Sequence, residues 1–162
     1  MPRESSLTDE LRMLLHSRRT AALGTVGDDG APFVSMTPFA VEPSLGCLVI
    51  HVSDLAAHTR YLRDRPKVSV LVMQQESPGE PVHALPRATL AGDADVLESH
   101  SPEWGPCRAA YLARFPEAEP MTQLSDFRFV AIHVHRARQI SGFAAARDVG
   151  EEEVHHALRP EA

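Results

Sequence analysis

The sequence predicts a mainly β domain with helices (α+β), in which about six antiparallel strands form a small β-barrel and three helices cover its openings. Two observations lead there. Short β-branched runs bounded by turn residues recur along the chain, and helix-period segments interrupt them without the strict alternation of a parallel sheet. Thirteen prolines in 162 residues then require many element boundaries and short elements.

Taken in order, Ser6 reads as the N-cap of a first helix. Leu7, Leu11, Leu14 and Leu15 recur on one face, and Arg18-Arg19 complements the helix dipole at the C-terminal end. Thr20–Val26 and Pro32–Val41 flank the Asp-Gly turn signal of Gly27-Asp28-Asp29-Gly30 and read as a hairpin. Cys47–Val52 is a compact apolar run, the pattern of a buried strand. A helix follows over Ser53–Asp64, with Ser53 as its cap and Pro66 ending it.

Lys67–Met73 is the next strand, and a polar, proline-bearing loop from Gln74 to Pro86 leads to a strand near Ala88–Leu97. Gly92 marks a bulge there. Ser101-Pro102-Glu103 opens a third helix, with Trp104, Cys107, Ala110, Tyr111 and Phe115 on its apolar side and Pro116 as its stop. Phe127–Arg138 alternates as the last strand. The organisation expected is a domain over 1–150 and an acidic, histidine-bearing tail over 151–162 that is partly disordered.

Hydrophobic residues are 43% and charged residues 23%, ordinary globular usage. No apolar run approaches the length of a membrane span, and the N-terminus lacks the apolar core of a signal peptide, so a cytoplasmic protein without membrane contact is expected. A net charge of −6 disfavours nucleic-acid binding. Two cysteines, Cys47 and Cys107, without CxxC spacing indicate neither a disulfide scaffold nor a zinc site. His133 and His135 share a strand face but lack a third ligand, so no metal is expected.

The most informative segment is the strand-to-helix junction His51-Val52-Ser53-Asp54. A helix N-terminus presents free N–H groups and positive dipole, and His58, with its side chain leaning back, would reach an anion held there. Arg60 and Arg63 add positive field, whereas Asp54 opposes an anion. The same residues also describe an ordinary capped surface helix.

The run from Gly46 through His58-Thr59 to Val70 resembles the FMN-binding split-barrel superfamily of pyridoxamine 5′-phosphate oxidases, nearest its HugZ-type haem-degrading branch. Ala22–Pro32, Arg87–Ala94, and Asp126–Phe129 leading to Ile140–Ala144 agree in order. The resemblance spans roughly Leu15–Val149. It implies a six-stranded antiparallel split β-barrel, a homodimer with FMN at the subunit interface. It also implies cofactor contacts from Val34, Ser35, Met36 and Thr37 along the flavin, from His51, Val52 and Ser53 at the ribityl-phosphate end, from His58 in the place of a phosphate-binding lysine, and from Arg87. The Gly142-Phe143 turn would come near the cleft.

The run Pro32–Thr37 lacks the two basic ends of the Arg-x-Val-Leu-Leu-Lys strand of true pyridoxamine phosphate oxidases, and their basic C-terminal motif is missing. Vitamin B6 oxidation is therefore disfavoured. The expectation is an FMN-dependent oxidoreductase acting on an unidentified small molecule. The alternatives are a haem-binding or haem-degrading protein, with His155-His156 as a flexible iron ligand, and a non-catalytic carrier of flavin or deazaflavin.

Overall fold

The structure, a computed structural model, describes residues 2–143 and 145–161, with side chains described from Ser6 onward; Met1, Ala144 and Ala162 lie outside the described residues. The elements are α1 (Pro2–Ser17), β1 (Thr20–Val26), β2 (Pro32–Pro38), β3 (Ala40–Glu42), β4 (Cys47–Ser53), α2 (Ala57–Asp64), β5 (Lys67–Met73), β6 (Arg87–Val96), α3 (Trp104–Arg114), β7 (Phe127–Ile140), β8 (Ala146–Val149) and α4 (Glu151–Leu158).

All eight strands join one antiparallel sheet of order β2-β1-β5-β6-β7-β4-β3, with β8 on β7. Strands β2 and β3 stand at opposite ends of that order, yet only Phe39 separates them in the chain. Pro38 and Ala40 are two Cα steps apart, at most about 7 Å, so the sheet must curl until its two edges nearly meet. That is the split barrel, and Phe39, fully buried, plugs its core where the edges approach.

The strand count exceeds six for two reasons. The run expected as a single strand over Pro32–Val41 breaks at Pro38-Phe39, because proline lacks the N–H that would continue the ladder. Residues 146–149 add β8. Gly92 does sit at a bulge: the β6–β7 register shifts between Ala91 and Gly92, and a Cβ at Gly92 would lie 2.3 Å from the His133 carbonyl oxygen.

Strand alternation gives β4 two buried faces. Leu48, Ile50 and Val52 point into the barrel with Leu23, Val70, Leu90 and Ile132. Cys47 and Val49 point outward and are covered by Cys107, Tyr111 and Phe115 from α3 and the turn that ends it. Both cysteines are thus buried and free, and Cys107 lies beside Cys47, whose thiol its hydrogen bond and burial hold well above the usual range.

The helices depart from expectation at their starts. α1 begins at Pro2, not after Ser6, since proline tolerates a first helical turn where N–H groups have no partner. α3 begins at Trp104, and its first-turn proline is Pro106 instead of Pro102. Arg114 ties the end of α1 to the barrel by donating to the carbonyls of Leu15, His16, Arg18 and Phe39.

The largest departure is the C-terminal segment expected as a partly disordered tail. It forms α4, with Val154, Ala157 and Leu158 fully buried in the main core. Arg147 pairs with Glu153, which also accepts from Thr8 of α1; these bonds hold the Glu153 carboxyl below its usual range. The acidic first turn, Glu151 to Glu153, also suits the positive end of the helix dipole.

Candidate functional site

Strand β2 is an edge strand whose side chains divide between two faces. Val34 and Met36 are 66% and 68% exposed, and point to the outer face of the sheet, opposite Gly24 and Ala22 of β1. Beyond β1 the same face continues through Leu71 and Met73 of β5. Ser35 and Thr37 point the other way, opposite Leu23 and Ala21 of the core. Thr37 is buried and donates to the Pro38 carbonyl, so its hydroxyl is already used. The four β2 residues grouped by the resemblance therefore split two and two.

The inner pair brings one expected contact together. Ser35 Oγ and His58 Nδ1 share a hydrogen bond of 2.8 Å, closing β2 against α2. Burial lowers the His58 pKa, so this imidazole is neutral near pH 7. His58 is the second residue of α2, because the helix starts at Ala57 and not after Ser53. Its capping residue is Ala56, which offers no side-chain acceptor.

Ser53 is the last residue of β4. Its Oγ accepts from the Leu55 N–H, while its carbonyl accepts from Ala56 N–H and the Thr59 hydroxyl. Ser53 thus shapes the turn into α2 and does not cap it. The arginines around this helix are engaged by carboxylates: Asp54 holds Arg63 at 3.4 Å and Arg128 at 3.2 Å, and Asp28 holds Arg60 at 2.9 Å and Arg65 at 3.6 Å. What faces the Ser35–His58 pair is a hydroxyl, a neutral ring and the first-turn N–H groups. A phosphate dianion finds no lysine in the family's place and no unpaired guanidinium among these.

The side chains of His51 and Val52, the other two residues expected at the ribityl-phosphate end, are buried. The Val52 side chain is in the barrel core at 3% exposure. His51 is 8% exposed and packs against Phe129, Phe127 and Tyr111 at ring-centroid distances of 4.5, 5.1 and 5.7 Å. Its Nδ1 is buried with no partner among the described residues, and burial pushes its pKa down to about 4. Arg87 lies across from Met73 on the outer face, half-buried, where it donates to the Leu85 carbonyl at 2.8 Å and the His83 carbonyl at 3.5 Å.

The expected tail ligands are also placed. His155 makes a 2.9 Å hydrogen bond with the Val134 carbonyl and lies on Gly46, whose φ of +63° and closeness to the ring both favour glycine. His156 is exposed on α4. His135 is paired with Asp93 at 2.6 Å, and no cluster of three or more metal-ligating side chains occurs among the described residues. No helix among them is long and apolar enough to cross a membrane.

Two adjoining cavities open beside the outer face. One of about 390 Å³ lies along Val34, Met36, Leu71 and Met73; the other, of about 700 Å³, lies between α1, the loop after β5, and Ser141. Both volumes suit a ligand of cofactor size. Arg18, Gln74, Gln75 and Glu76 line both cavities. The sequence reading gave Arg18 only a helix-dipole role and left Met73 out. Strand parity would have found Met73, since it follows Leu71 by two residues on one face. The Gly142-Phe143 turn expected near the cleft has Phe143 80% exposed, and the neighbouring Ser141 lines the larger cavity.

Residues 7–141 match the family described as pyridoxamine 5′-phosphate oxidase. The chain is 29% identical over 152 residues to haem oxygenase HutZ of Vibrio cholerae, covering 93% of this chain and 85% of that protein. It is 34% identical over 143 residues to the non-canonical haem oxygenase HOZ of Arabidopsis thaliana, a chloroplastic protein, covering 87% of this chain and 42% of the relative. Among solved structures, a haem-binding protein from Mycobacterium smegmatis superposes with a TM-score of 0.83 at 28% identity. That match takes in 93% of this chain and 60% of the other, so this chain spans less than two thirds of two of these three relatives. A structure of Vibrio cholerae HutZ, described as a haem storage protein, superposes at 0.67 with 27% identity over 83% of this chain and 89% of that one.

Proposed function

The chain belongs to the pyridoxamine 5′-phosphate oxidase family, and from that premise we propose that it binds haem and not primarily FMN. The observation that carries the reading is likeness over most of the chain to proteins named for haem. The site supports it. A flat apolar group needs an exposed apolar face, which Val34, Met36, Leu71 and Met73 supply; a flavin phosphate needs a cation, and the Ser35–His58 pair offers none.

Haem, when bound, would supply the redox-active iron. The chain's own part is to hold the plane and exclude water from it. Side chains on or beside the face that can ligate iron are the Met36 and Met73 thioethers and the exposed His83, whose carbonyl Arg87 holds. The tail histidine His155 has its ring committed to Val134 and Gly46. An exposed apolar face on an edge strand also suits a second copy of the chain, in the homodimer that the family resemblance implies.

FMN is the second reading, favoured by the first-turn N–H groups of α2 next to Ser35 and His58. Visible absorbance titrations of the purified protein with haemin and with FMN separate the two. The proposal expects a saturable Soret band at one haem per chain and no flavin retained on desalting. Tight FMN with no Soret band contradicts it. Loss of that Soret band in air with a reductant would add haem degradation to haem binding.

A further inference from the structure

We propose that Arg18 is a carboxylate clamp for the ligand of the outer face, so that this ligand carries an acid group at one edge of an apolar body. The inference rests on the haem reading and deepens it: the acid groups are the haem propionates.

Arg18 lies in the two-residue turn between α1 and β1, and it lines both cavities at their junction. Its Nε–H is buried and has no acceptor, and its guanidinium forms no ion pair with any described carboxylate. This sets it apart from the arginines around α2, each held by Asp28 or Asp54. The Arg18 Nε–H is closed off, but the terminal N–H groups of its guanidinium are neither buried nor paired among the described residues, and a carboxylate supplied by a ligand would meet them through charge-assisted bonds. The nearby apolar surface is that of Met36 and Met73, so cation and apolar face adjoin.

The charges around Arg18 choose between acids. Glu76 lines both cavities and Glu10 lines the larger one. Their field disfavours a phosphate dianion more than a singly charged carboxylate. The turn itself does not need the Arg18 side chain, because its backbone is held by an N–H bond to the Leu14 carbonyl and by Arg114 on its own carbonyl.

The test compares haemin with haemin dimethyl ester, which has the same plane and iron but no free acid, on wild type, R18A and R18K. The expected result is a loss of haemin affinity in R18A of roughly ten- to a hundredfold, partial recovery in R18K, and no change for the ester. Equal affinity of R18A and wild type for haemin overturns the clamp and leaves the haem reading standing. Equal loss for haemin and ester also overturns it, because the defect is then not at the acid group. No haemin binding by wild type overturns clamp and reading together.

Discussion

Two histidines on this chain were expected at the same cofactor, and the structure puts them in unlike surroundings. His51 is sealed between β4, β7 and α3, with three aromatic rings around it and no hydrogen-bond partner for Nδ1. His58 stands where α2 meets the edge strand β2, bonded to Ser35. Burial keeps both neutral near pH 7. The difference teaches that the α3 side of the barrel is a closed packing interface. The β2 side, by contrast, leaves apolar side chains in water that the fold does not use. The proposed haem site is on the second side.

The sharpest way to break the comparison is to attack the closed part of the molecule. Leu158→Ala removes a fully buried side chain of α4 and should cost about 2–5 kcal/mol in urea unfolding. A cost below about 0.5 kcal/mol would mean that the helix is not part of the core.

Acid tests His51 directly. Its folded pKa of about 4 lies below the ordinary value of 6.5, so the unfolded chain binds the extra proton first. Stability from this group is fully present above about pH 6.5 and is lost as pH falls toward 4, by up to about 3 kcal/mol at 1.36 kcal/mol per pKa unit. His51→Phe should flatten that part of the pH profile while fitting among the rings. His16 and His58, also lowered by burial, leave a residual slope of the same sign. An unchanged profile in the variant would contradict the sealed setting.

On the open side the expected effects on folding are small. Ser35→Ala removes one partly buried hydrogen bond, at about 0.5–1.5 kcal/mol. If FMN affinity also fell sharply in this variant, the phosphate reading of the Ser35–His58 pair would regain ground.

The barrel was legible because its signals are local. The Asp-Gly turn, the β-branched runs and the bulge glycine each act within a few residues, and Gly92 sits against the His133 carbonyl as its position suggested. The site was less legible because its logic is two-sided. Grouping Val34, Ser35, Met36 and Thr37 ignored strand parity, which sends alternate side chains to opposite faces. Ser53 looked like a cap, but the chain spends three more residues turning before α2 begins, and Thr59 reaches back to the Ser53 carbonyl. The C-terminal segment misled by composition: three glutamates and two histidines hide Val154, Ala157 and Leu158, whose spacing of three and four is a buried helix face.

The central claim is that ligand binding belongs to the outer face of β2, and Met36→Asp tests it most directly. Met36 is exposed, so the variant should unfold like wild type, within about 0.5 kcal/mol. Measured by Soret titration, the account predicts that haemin affinity falls at least tenfold, because a carboxylate is placed against the porphyrin plane. Wild-type haemin affinity in Met36→Asp would contradict the account and move the ligand off this face.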